Sequence, residues 1–133
     1  MRVLFIAGFA PIVRDAGAAR AFYAESLGLK FEGGVGDYAF TEKLAGAKHF
    51  GVWPLAEAAE ACFGKPEWPP DVPVPQAALE FEVGDVAEAA AALEARGYRL
   101  IHGARTEPWK QTIARLLTAD GLLVGVCHTP WLR

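Results

Sequence analysis

The sequence predicts an α+β fold: two βαβββ modules whose mixed sheets curve into a cup with a central ligand cavity. Three observations lead there. Short runs rich in β-branched, aromatic and other apolar residues alternate with two Ala-rich stretches of helical spacing. The stretches repeat: their opening residues, Asp15 and Asp85, lie 70 positions apart, and their closing glycines, Gly28 and Gly97, lie 69 apart. A proline-dense segment, KPEWPPDVPVPQ, separates the copies. A chain of 133 residues, 53% of them hydrophobic, is expected to form a single domain, 1–133, with its own core. It divides into a first module at 1–64, a linker at 65–76 and a second module at 77–133.

Residues 2–10 are apolar and β-prone up to Pro11. They read as a first strand rather than an export signal, because no small-residue cleavage site follows. Asp15 is placed to cap a helix with a stripe of Ala18, Ala19, Phe22, Tyr23 and Leu27, and Gly28 to stop it in the left-handed conformation. Strands follow at Leu29–Glu32, Tyr38–Glu42 and His49–Pro54, an antiparallel meander with turns at Gly33–Asp37 and Ala45–Lys48. Gly33, Gly34 and Gly36 precede no helix and read as loop. LAEAAEACF, 55–63, favours helix. The prolines of the linker keep it out of any central strand. AALEFEV, 77–83, is a strand. Asp85 and Glu88 form a capping box for a helix with a stripe of Val86, Ala89, Ala90 and Leu93, ended by Gly97. Strands are expected at Tyr98–His102, Thr112–Leu117 and Leu122–Cys127, the last two joined through Ala119-Asp120-Gly121. Each sheet has one face covered by its helix. The two open faces, turned towards each other, enclose a cup, the natural place for a small ligand.

Composition excludes other functions. The net charge is −3 and no Lys/Arg cluster is present, which argues against nucleic acid. No apolar stretch approaches the roughly 20 residues of a membrane span. Two cysteines and no export signal point to reduced thiols and a cytoplasmic protein. There is no Asn, and the single Ser, Ser26, lies in a helical stretch without a nucleophile elbow, so a serine hydrolase is not expected. No phosphate-cradling glycine loop supports nucleotide binding.

Over essentially the whole chain, VRDAGAARAFYAESLGLKF in the first half, with LEFEVGDVAEAAAALEARGY and TADGLLVGV in the second, resembles the vicinal oxygen chelate superfamily. That superfamily includes glyoxalase I, the extradiol dioxygenases, fosfomycin-resistance enzymes and the bleomycin-resistance proteins. The resemblance implies the cupped fold and a homodimer, with the cup built within one chain or shared between two. It also implies where a metal would be held: positions 8, 51, 78 and 125. These are Gly8, Gly51, Ala78 and Gly125, none of which offers a donor atom, so no metal and no other cofactor is expected. Small residues there leave space to be filled by a ligand or by neighbouring large side chains. On that basis, large residues at Gly51 or Gly125 are expected to block the cup and spare the fold.

The segment EPWKQTIARLLTADG is similar to the stretch of bleomycin-resistance proteins that carries a stacking tryptophan, which implies a ligand-stacking role for Trp109. Alternation along strands places His49 and Trp53 on the cup face with Gly51, Gln76 and Glu80 with Ala78, Ile6 and Ala10 with Gly8, and Leu123 and Cys127 with Gly125. Gln111 and Arg115 lie near Trp109. The candidate ligand-binding set is therefore Trp109, Trp53, His49, Glu80, Gln111, Arg115 and Leu123, and two tryptophans suit a planar aromatic ligand. No catalytic residue is assigned; His49 and Glu80 are the weak candidates. Glu80 is either functional or paired with an arginine such as Arg115, because an unpaired carboxylate inside the cup is costly. Against these stand plainer readings: Trp53 as core, His49 as a strand histidine bonded to backbone, Trp68 as a packing anchor, Trp131 as a terminal anchor and His128 as solvated.

Three functions remain open. The first is a metal-free protein that binds and sequesters a small planar ligand or antibiotic. The second is a superfamily enzyme, glyoxalase-, epimerase- or dioxygenase-like, with a displaced metal site or His/Glu acid–base chemistry. The third is a metabolite-binding carrier or regulatory domain.

Overall fold

The computed structural model describes residues 1–33 and 37–133. The first module contains β1 (Val3–Val13), α1 (Ala16–Arg20), β2 (Glu32–Gly33), β3 (Ala39–Thr41) and β4 (Phe50–Pro54). α2 (Leu55–Phe63) follows, then β5 (Ala77–Val83), α3 (Val86–Ala95), β6 (His102–Thr106), β7 (Thr112–Leu117) and β8 (Leu122–His128). A short 3-10 turn, Pro130–Leu132, closes the chain. Gly34 and Gly36 of the expected glycine loop lie outside the described residues.

The eight strands form one sheet in the order β2-β3-β4-β1-β5-β8-β7-β6. The two four-stranded modules are thus joined edge to edge, by antiparallel pairing of β1 with β5, rather than set as separate sheets facing each other. Within each module the first strand pairs in parallel with the last, as a helical crossover requires, and the other neighbours are antiparallel.

Local chemistry sets the helix ends. The Asp15 and Asp85 carboxylates accept the amides of Ala18 and Glu88 at 2.9 and 3.0 Å. Gly28, Gly64 and Gly97 all have positive φ. The first helix departs from expectation. After Arg20 it widens into a π-helical stretch, Ala21–Ser26, and buries no residue, whereas α3 buries Val86, Ala89 and Ala90. β2 is shorter and later than Leu29–Glu32, and β6 is displaced from Tyr98–His102. The run before β6 is used differently: the Tyr98 amide bonds the Leu93 carbonyl, and Leu100 packs on the α3 core.

α2 closes one end of the cup. Its Ala58 and Cys62 pack against Trp53, Ala78 and Leu123. The C-terminal turn closes the other end, with Leu132 against Ala7, Ile113 and Cys127. Glu82, fully buried, pins this turn: it accepts the Thr129 amide at 2.6 Å and the Arg133 Nε at 2.8 Å.

Candidate binding site

Between these two ends the sheet holds a cavity of about 490 Å³. Gly8 of β1 and Glu80 of β5 are register partners on its floor, and Glu80 is in register on its other side with Gly125 of β8. Glu80 therefore rises from the floor with a glycine on either side. A β-bulge between Ile6 and Gly8 breaks the alternation of β1. Both Ala7 and Gly8 consequently line the cavity, while Ile6, expected on the cup face, is exposed.

Of the candidate residues, Trp53, Trp109, His49, Glu80 and Gln111 come together around the cavity. Gln111 ties two of the others, and Thr129 besides. Its Oε1 accepts the Trp109 indole N–H at 2.9 Å, and its Nε2 donates to Glu80 Oε1 at 2.9 Å and to Thr129 Oγ at 3.0 Å. The amide is buried and its orientation is fixed by these donors and acceptors. Glu80 is thus partnered by Gln111 and not by Arg115.

Arg115 and Leu123 do not line the cavity. Leu123 is covered by α2 and is 1% exposed. Arg115 is buried behind the wall, its guanidinium 5.6 Å from the centre of the Trp53 ring. Its Nη1 donates to Glu107 Oε1 and to His102 Nε2, each at 3.1 Å. Gln76 and Cys127 also lie outside the lining. Burial pushes both thiols up, Cys62 to about 11, so neither is a nucleophile. Trp68 is an anchor: its indole donates to the Val72 and Pro73 carbonyls and its ring meets Phe63 edge-on. Trp131, expected only as a terminal anchor, lines the cavity and donates to Glu42 Oε2 at 3.0 Å. His128 ends β8 and is half-buried rather than solvated.

The sequence reading missed Tyr38, Phe40 and Glu42, which form one wall with His49. His49 Nδ1 lies 2.8 Å from Glu42 Oε2, and His49 Nε2 is hydrogen-bonded to the Tyr38 hydroxyl. The rings of Phe40 and His49 stack at 5.2 Å. A signal for this wall exists in the sequence. Pairing the two expected strands about the 45–48 turn puts Glu42 opposite His49 and Phe40 opposite Gly51, and the latter pair is in register in the structure.

The positions that would ligate a metal do not fit one. A side chain at Gly51 would run into the Tyr38 phenol, and one at Gly125 into Ile113 Cδ1 at 2.6 Å. Among the described residues no group of three His, Cys, Asp or Glu side chains converges on a metal site.

Residues 6–126 match the family model of the Glyoxalase/Bleomycin resistance protein/Dioxygenase superfamily. The chain belongs to that superfamily. Solved structures agree on the fold. A superfamily member from Vibrio splendidus is 14% identical, with 96% of this chain and 98% of that one covered and a TM-score of 0.59. A methylmalonyl-CoA epimerase from Mycobacterium tuberculosis is 20% identical, with 98% and 91% covered and a TM-score of 0.63. A hypothetical protein from Bacillus halodurans is 17% identical, with 93% of each covered and a TM-score of 0.61. No curated protein matches the sequence. Superfamily membership leaves both enzymes and binding proteins open, and no helix among the described residues is long and apolar enough to cross a membrane.

Proposed function

We propose that this protein binds and sequesters a small, planar, cationic aromatic molecule in its cup, without a resident metal. One observation carries the reading. The cavity has aromatic walls, Trp53, Trp109, Tyr38 and Phe40, and among the described residues its lining holds four carboxylates, Glu32, Glu42, Glu57 and Glu80, but no Lys or Arg. Stacking adds about 0.5–1.5 kcal/mol beyond burial, and a carboxylate at the floor favours a cation. A basic planar antibiotic is one member of this ligand class. The same charge balance speaks against an acyl-CoA, whose phosphates find no basic partner in the lining.

The test is a tryptophan-fluorescence titration with proflavine, a planar cation, against anilinonaphthalene sulfonate, a planar anion. Proflavine is expected to bind and the sulfonate to bind far more weakly. Trp109→Ala is expected to cost about 1–3 kcal/mol of affinity. Equal binding of the anion would sink the charge argument, and an unchanged Trp109→Ala would remove that residue from the site.

We also propose a homodimer in the cytoplasm. Its support is the set of exposed large apolar side chains in the first module, Val3, Leu4 and Ile6 of β1 with Phe22 and Leu27.

A further inference from the structure

We propose that Glu42, His49 and Tyr38 form a proton-accepting relay, which makes the cup a general-base site for a planar carbon acid. The inference rests on the reading that the cup takes planar ligands, and adds a chemical step to it. Donor and acceptor roles fix the direction of the relay. The Glu42 carboxylate accepts, so His49 Nδ1 carries the ring proton. His49 Nε2 is then an acceptor, and the Tyr38 hydroxyl donates to it. The Tyr38 oxygen keeps its lone pairs for the cavity it lines. Trp131 donates to the same oxygen, Glu42 Oε2, so that oxygen is oriented by two donors.

A proton taken by the Tyr38 oxygen displaces the phenol's own proton onto His49 Nε2. Burial, with Glu80, Glu42 and Glu57 adding to it, pushes the Tyr38 phenol far above its ordinary value. The phenolate is therefore not the resting form, and the proton is stored as an imidazolium beside Glu42. This is the logic of a nucleophile–histidine–carboxylate triad with the hydroxyl acting as the entry point for a proton. Tyr38 is the catalytic residue; His49 and Glu42 position and charge it.

The probe is nitrobenzisoxazole, a planar carbon acid small enough for the cavity. Tyr38 takes the ring C–H proton as its own passes to His49. The C–H electron pair completes the nitrile, the N–O bond breaks, and the oxygen leaves with the N–O bonding pair as a coloured phenolate. The imidazolium then releases its proton to water. The charged and titratable groups facing the relay are Glu42 beside His49, and Glu80 from β5 and Glu57 from α2 acting on Tyr38.

Turnover at least about 100-fold above an equal concentration of free imidazole is expected, the lower end of general-base catalysis. Tyr38→Phe and His49→Gln should each lose most of it with their circular dichroism intact. Added imidazole should restore turnover to a His49→Gly variant beyond its own background rate, and should not restore it to Tyr38→Phe. No acceleration in a protein that binds proflavine overturns the relay and leaves the binding reading standing. Loss in Glu80→Gln with none in Tyr38→Phe overturns it in favour of Glu80 as the base. Turnover without proflavine binding supports the relay and overturns the ligand reading.

Discussion

Arg115 shows how one buried charge organises its neighbours. Glu107 pairs with its Nη1, Trp53 stacks on it, and His102 accepts from it through Nε2 while donating through Nδ1 to the Gly103 carbonyl at 2.7 Å. Both ring nitrogens of His102 are thus engaged in the neutral form. Burial first, then the Arg115 and Arg105 guanidinium groups, hold His102 below its ordinary value, against the Gly103 bond and Glu107. The unfolded chain therefore binds the proton at a higher pH than the folded one. This stabilising contribution is full above the ordinary histidine range and declines as pH falls through it. Urea midpoints at about pH 7.5 and about pH 5.5, which bracket that range, should show a drop in the wild type that His102→Gln reduces. An equal drop in the variant would remove His102 as its source. At this scale the site was half legible. Tryptophans in a loop and a strand, and a lone Glu on an inward parity, announce themselves by type. Tyr38 and Glu42 did not, because their role comes from a histidine on another strand. Arg115 and Leu123 share the cup face in register, but α2 covers Leu123 and Arg115 is buried behind Trp53, and nothing in the local sequence says so.

At the scale of elements, caps and stops were the clearest signals, since Asp15, Asp85, Gly28 and Gly97 act within a few residues of themselves. β6 was not, because an apolar run marks packing and not strand pairing: Leu100 packs half-buried on α3, and the ladder with β7 starts at His102. The glycines of β4 and β8 also read differently in place. Their missing side chains do not open the floor, because Tyr38 and Ile113 occupy the space. Gly125→Leu, expected from sequence to spare the fold, should instead overpack β8 against the fully buried Ile113, costing about 1–3 kcal/mol by urea denaturation. A Gly125→Leu/Ile113→Ala double variant should recover part of that loss; failure to recover any would place the strain elsewhere.

Across the whole molecule, the two modules share a plan but not a duty. α3 seals the outer face of the second module with Val83, Ala114 and Val126 beneath it. The first helix buries none of its own residues and meets the sheet through Tyr23 on Phe50, and most of the exposed large apolar side chains lie in the first module. If that face carries the dimer, sedimentation should give twice the chain mass, and an Ile6→Glu/Phe22→Glu variant should be monomeric with its circular dichroism intact. A wild-type monomer would refute the assembly. The repeat itself was legible from the offset of Asp15 and Asp85; that its halves would divide their labour was not, since it depends on which apolar residues find a cover.

The seam between β1 and β5 also dictates an order of events during synthesis. β1 meets its parallel partner once Phe50–Pro54 has been made, yet its other edge stays open until Ala77–Val83 leaves the ribosome. Closing that edge brings together strands separated by most of a module, a slow step for topological reasons. The same strand delivers Glu80 between Gly8 and Gly125, so the nascent chain gains its continuous sheet and its cavity floor in one event.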